Sequence, residues 1–217
     1  MLTPSTKVLE WLGKADADYI AARRLLPQDS LLEGATFSTT AVEKYLKAIL
    51  CLANIDIPTG FKGHNLRLLK ARLKSRGIAL LISDQYLDLL FKLYQAGYPQ
   101  DLPVGYNYAI NRTKLLVELD YTVFEIRKGF SITGPNEPIE TELDRLAKRH
   151  DPCLVERNCY FGTADRKQLF REDTFCMDMR VFPNKNPISV TYVARGVPDD
   201  RRFNERRLRP ARKHNAA

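Results

Sequence analysis

The stretch AVEKYLKAIL, residues 41–50, sets a glutamate and two lysines into an otherwise apolar decamer, and its reading decides the fold. At about 100° per residue on a helical wheel, Ala41, Val42, Tyr45, Leu46, Ala48, Ile49 and Leu50 cover more than half the circumference. Thr40, Glu43, Lys44, Lys47 and Cys51 fall together on one polar strip. A helix so widely apolar is the central member of a bundle, wet on one strip only. It spans about residues 30–54, and Asp29 or Ser30 can cap it after the break at Pro27.

Working outward, Val8, Leu12, Ala15, Tyr19, Ala22 and Leu26 recur at alternating spacings of four and three, with Trp11 on the flank, and predict a helix over about residues 4–26. Downstream, DIPTGFKGHN (56–65) is rich in turn residues. Asn65 then caps a third helix whose buried stripe is Leu66, Leu69 and Leu73 and which ends at Gly77 as a left-handed residue. Ser83 caps a fourth helix carrying Leu87, Leu90, Leu93 and Tyr94, closed by Gly97 and Pro99. A fifth, over about residues 106–130, repeats Ala109, Leu116, Val123 and Phe130 every seven residues. Five amphipathic helices on short connections predict a mainly α protein, an antiparallel bundle of four or five helices over residues 1–130.

The pattern then changes. SITGPNEPIE (131–140) reads as a linker over 131–139, and a small α+β extension over 140–200 follows. It opens with a helix near 140–149. TFCMDMRVF (174–182) alternates Phe175, Met177, Met179 and Val181 against Cys176, Asp178 and Arg180, and ISVTYVARG (188–196) alternates Ile188, Val190 and Tyr192 against Ser189 and Thr191. With PNKNP (183–187) between them, the two runs predict a β-hairpin, which must pack on the preceding helix or on the bundle.

Composition bounds the function. The 217 residues carry a formal net charge of +8, but the last 17 hold seven cations against Glu205 alone, leaving residues 1–200 at +2. The charge therefore argues for a basic, disordered tail over 201–217 rather than for a basic body. No run approaches the ~18 consecutive apolar residues of a membrane span, and MLTPSTKVLEWLG lacks the basic start and apolar core of a secretion signal, so a cytoplasmic location is expected. Cys51, Cys153, Cys159 and Cys176 are too irregular for a disulfide scaffold. His150 with three of them lacks the paired Cys-x2-4-Cys of a zinc module, so neither metal nor cofactor is expected.

KADADYIAARRLL (14–26), FSTTAVEKYLKAIL (37–50), GHNLRLL (63–69) and YQAGYPQ (94–100), in that order before a long last helix, resemble the HEPN domain family of bacteria and archaea. Its Ala-x-Glu-Lys-x-Leu-Lys-Ala core is matched by Ala41 to Ala48, and its Gly-His-x-Leu by Gly63 to Leu66; the resemblance covers about residues 5–130. It implies a helical bundle, commonly a homodimer with a groove near the dimer axis. It also implies one of three trades: nucleotide binding, partnership with a small nucleotidyltransferase in a two-gene toxin–antitoxin module, or metal-independent RNase activity.

The RNases of that family rely on Arg-x4-6-His, often continued as His-x-Tyr, on the last bundle helix. Imidazole moves the proton of an attacking 2′-hydroxyl and arginine stabilises the phosphate. Here NRTKLLVELDY (111–121) supplies Arg112 and Tyr121 but puts Val117, Glu118 and Leu119 where the histidine would stand. Leucine moves no proton, so the bundle is read as lacking nuclease chemistry. Arg-x4-His recurs outside the bundle as Arg145 with His150 and as Arg209 with His214, at a frequency chance explains. The first pair is the catalytic candidate of the alternative RNase reading.

The remaining candidates are binding residues. Lys44 and Lys47 are read either as a solvent seam, with Glu43 and Lys47 pairing across one turn, or as the lining of a phosphate-binding groove, joined by His64 and Arg112. His64 also has a plainer role as a partner for a helix end. Arg67, Lys70 and Lys74 on the basic face of the third helix are the candidate contacts for RNA or a partner protein, although that helix carries no aromatic residue for base stacking.

Overall fold

The computed structural model describes residues 6–98, 102–128, 139–183 and 187–196. Helix α1 (Thr6–Leu25) runs into a short 3-10 turn at Leu26–Gln28, and α2 (Leu31–Leu52) returns along it. A second 3-10 turn (Gly60–His64) leads to α3 (Leu66–Lys74), then α4 (Asp84–Ala96). Strand β1 (Asn107–Asn111) precedes α5 (Arg112–Arg127), the last bundle helix. Three short helices follow, α6 (Glu142–Lys148), α7 (Pro152–Val155) and α8 (Arg166–Arg171), and then β2 (Thr174–Val181) and β3 (Pro187–Ala194). A helical bundle with a small sheet is what the sequence predicts.

The local signals act as their chemistry requires. The side chains of Asn65 and Ser83 accept the backbone N–H groups of Leu68 and Tyr86. Gly77, at φ 80°, takes the left-handed position that lets Ile78 N–H reach back to the Leu73 carbonyl. Ser30 occupies the N-cap position of α2 but makes no cap bond with its side chain, and the Asp29 carboxylate is spent on Arg112 at 2.5 Å.

The fifth helix starts later than its heptad pattern predicts. Residues 107–111 form β1, antiparallel to β2 with Tyr108 opposite Met179 and Ile110 opposite Met177, and Asn111 caps α5 by accepting Lys114 N–H. Tyr108 and Ile110 are buried while Ala109, assigned to the helix stripe, is exposed. Ladder bonds to a strand far downstream override the local period. Phe130, most of the linker and the basic tail lie outside the described residues.

The sheet has the order β1-β2-β3 and is all antiparallel. The hairpin is therefore anchored to the bundle through β1. Met179 and Val181 join the bundle core, as do Leu143, Leu146 and Leu154 from the short helices. Ile188, Val190 and Tyr192, the alternating apolar set of β3, face away from that core, because the register puts Ser189 opposite Met179.

Residues 139–161 lie across α1 and α5 through two buried polar knots. Arg23 on α1 donates to Asp120 on α5 at 2.6 Å, to the Cys153 carbonyl at 3.0 Å and to the Glu156 carbonyl. The Tyr19 hydroxyl donates to the same carboxylate and accepts from Asn158. In the second knot Asp16 accepts from the Tyr45 hydroxyl and from Leu143 N–H, and Arg127 bonds Thr141 and Asp144, the two residues of the α6 capping box. Buried charges need a counter-charge or hydrogen bonds: Arg23 and Asp120 supply both to each other, whereas Asp16 is held by hydrogen bonds alone.

Candidate functional site

The polar strip of α2 is dry at its centre, between the half-buried Thr40, Lys44 and Cys51. Glu43 and Lys47, one turn apart, are both buried, because the Gly60–His64 turn and the Trp11 side chain close over them. One Glu43 oxygen accepts from Lys47 Nζ at 2.6 Å, and the other lies 2.9 Å from His64 Nδ1. Lys47 Nζ also stands 5.3 Å from the centre of the Trp11 ring, a cation–π contact. Gly63 lets the turn come this close: a β-carbon there would be 2.5 Å from the Pro58 carbonyl oxygen and 3.8 Å from Lys47 Nζ. Lys44 reaches back to Asp18 on α1 at 2.5 Å.

With Glu43 ionised, the Nδ1 of His64 is the donor, which leaves Nε2 as an acceptor in the neutral ring and a second donor in the cation. The ring stacks on Tyr94 at 4.8 Å and 14°. From there an aromatic strip extends along α4: Tyr94 meets Tyr98 at 5.6 Å and Phe91 at 6.4 Å, and Phe91 meets Phe61 edge-on at 5.4 Å. Phe61 is 61% exposed and Tyr98 48%, so the strip reaches solvent at both ends.

Phe91 is also a wall of the groove between α3 and α4, a space of about 670 Å³ lined by Asn65, Arg67, Leu68, Lys70, Ala71, Lys74, Asp84 and Asp88. Its cations are partly spent. Lys70 donates to Asp84 at 2.7 Å and to the Ile82 carbonyl, and Arg67 pairs with Asp88 at 3.1 Å. The Lys70 hydrogen bond holds the Asp84 carboxyl below its ordinary range. The groove thus presents basic groups on one wall and carboxylates on the other.

A family model for the HEPN domain matches residues 8–119. The chain belongs to the HEPN domain family. No curated protein and no solved structure matches it. The HEPN match ends inside α5, where the RNase pattern would fall, and the structure places each position of that pattern. Arg112 is half-buried against Asp29 and walls a small cavity with Arg157 of the extension. Leu119 is fully buried in the core. Tyr121 packs on Tyr160 of the extension at 5.4 Å, and Phe124 beside it packs on Tyr160 and Phe161.

The other candidates are scattered. Arg145 is exposed on α6 and pairs with Glu142 at 3.3 Å, and His150 is exposed just past that helix in a left-handed conformation with φ 51°. His214 lies outside the described residues. All four cysteines are free thiols, and Cys176 accepts from Asn111 Nδ2 at 3.3 Å. Among the described residues no helix is long and apolar enough to cross a membrane.

Of the residues that the sequence put forward for phosphate binding, the structure brings Lys47 and His64 together on Glu43, ties Lys44 to Asp18 and leaves Arg112 apart on α5. Phe61 and Phe91 were not among the candidates. Phe91 and Tyr94, three apart, share one face of α4, and that signal was available in the sequence.

Proposed function

We propose that this HEPN protein is a non-catalytic nucleotide binder, working as a homodimer beside a nucleotidyltransferase in a two-gene toxin–antitoxin module. The observation that carries the reading is Phe91, which belongs at once to the aromatic strip and to the wall of the basic groove. A base stacks on the Phe91 and Tyr94 rings while its phosphates meet Lys70, Lys74 and Arg67 at the groove wall. His64 offers its outer ring edge to the same ligand. Lys47 and Lys44, each held by a carboxylate, fix the site rather than touch the ligand, and Arg112 stands apart on α5.

Absence of cleavage is supported by α5 itself. A core leucine at 119 carries no proton, and aromatic residues of the extension cover the helix at Tyr121 and Phe124. Calorimetric titration of the full chain with AMP, ADP and ATP tests the reading. Affinity should rise with phosphate number, fall with salt, and drop about tenfold or more in Phe91→Ala, since one stacked base is worth ~1–3 kcal/mol. In the presence of chelator, RNA should stay intact. Failure of all three nucleotides to bind, or cleavage that His150→Ala abolishes, overturns it.

A further inference from the structure

Strand β3 ends the sheet, and among the described residues no strand pairs with its far edge. Its residues, Pro187–Ala194, include no charge, and Ile188, Val190 and Val193 are 54, 56 and 58% exposed. Open edges normally carry lysine, an inward charge or a bulge that prevents pairing. Apart from the proline at its first position, β3 has none of these. It presents a row of backbone donors and acceptors flanked by apolar side chains.

We propose that a second copy of this chain pairs with β3 along that edge, antiparallel about a two-fold axis at Val190, joining two three-stranded sheets into one of six strands. The strand is self-complementary about that residue. Ile188 comes opposite Tyr192 of the copy, Val190 opposite itself, and Ser189 opposite Thr191. Aromatic residues thus meet β-branched ones on one face and hydroxyls meet hydroxyls on the other, the favoured cross-strand combinations. An axis at Thr191 would set Ser189 against Val193 and spoil the match.

The competing occupant is the chain's own continuation, residues 197–217. Near its start that segment carries Asp199, Asp200, Arg201 and Arg202, charged residues of low β-propensity, whereas the strand of a second copy is uncharged and rich in β-branched residues, so composition favours the second copy. The inference deepens the homodimer part of the proposed function and is independent of the nucleotide.

Sedimentation equilibrium of the full chain across the micromolar range tests it. The wild type should dimerise, and Val190→Lys, which sets like charges face to face at the axis, should weaken the dimer at least about tenfold at an unchanged melting temperature. Deletion of 197–217 should leave the dimer intact, and V190C should oxidise to a covalent dimer that the wild type does not form. A dimer indifferent to Val190→Lys, or one lost only with the tail, overturns the β3 surface while leaving a homodimer standing. A wild type that is monomeric throughout overturns both.

Discussion

Glu43 and His64 stand 21 residues apart in sequence and meet at 2.9 Å, carboxylate to Nδ1, because α2 and the turn before α3 close on each other. The second oxygen of the same carboxylate holds Lys47. One buried anion therefore answers two separate groups, and its removal leaves the lysine ammonium buried against Trp11 with no counter-charge. Glu43→Gln should cost about 3 kcal/mol or more, measured as a lower denaturant midpoint at unchanged slope. Glu43→Leu combined with Lys47→Met should recover most of that loss, because an apolar pair of similar volume replaces a buried ion pair at little cost. If the double variant is as unstable as the single one, the carboxylate acts through His64 instead.

Gly63 gives a steric test of the same junction. An added methyl group would press on the Pro58 carbonyl at 2.5 Å, so Gly63→Ala must move backbone rather than a flexible side chain. A loss of about 1–3 kcal/mol is expected, together with a shift of the His64 ring resonances as the ring leaves Glu43. Gly13 is the control. It sits inside α1 with nothing within 4 Å of an added methyl, and Gly13→Ala should stabilise the protein by roughly 0.5–1 kcal/mol.

These two positions mark where sequence reading stops. Asn65, Ser83 and Gly77 were legible because a cap or a left-handed turn is decided within a few residues. The helical period placed the cores of α1 to α4 for the same reason. Strand β1 was not legible, since nothing between Asn107 and Asn111 announces that Cys176 to Arg180 will pair with it. Nor was the burial of Lys47: the polar strip of α2 looks wet until the Gly60–His64 turn folds over it and Trp11 leans across from α1. The nuclease pattern failed at Leu119 on sequence alone. That the extension then covers Tyr121 could be seen only in three dimensions.

Arg23 fastens the extension. Its guanidinium spans the Asp120 carboxylate and two carbonyls of the α7 region, an arrangement that needs a planar fork. Arg23→Met should cost about 3–5 kcal/mol because it strands Asp120 in the core, and Arg23→Lys should rescue only part of the loss. Hydrogen exchange separates the local effect from the global one. Amides of residues 143–161 should lose protection before those of α2, whereas a uniform loss along the chain would mean that Arg23 serves the bundle core and not the docking.

Asp120, the partner of that arginine, should also give stability an unusual pH dependence. Burial pushes its carboxyl up to about 6, against the downward pull of Arg23 and of the Tyr19 hydroxyl. An aspartate in the unfolded chain ionises near about 3.9, so between pH ~4 and ~6 the folded chain keeps a proton that the unfolded chain has released. The stability this group contributes is therefore present at the acid end of that window and is lost as pH rises through it. Asp16, raised chiefly by burial, adds the same sign. In Asp144 burial is outweighed by hydrogen bonds from Arg127 and Thr141, which hold it low, so its contribution is lost as pH falls. Asp120→Asn isolates the first group. The destabilisation caused by that substitution should shrink as pH rises from about 4 to about 6, and the carboxyl carbon resonance of Asp120 in the wild type should titrate with a midpoint near 6. A midpoint below the unfolded value would mean that Arg23 outweighs burial, and the cost of the substitution would then grow with pH over the acid range.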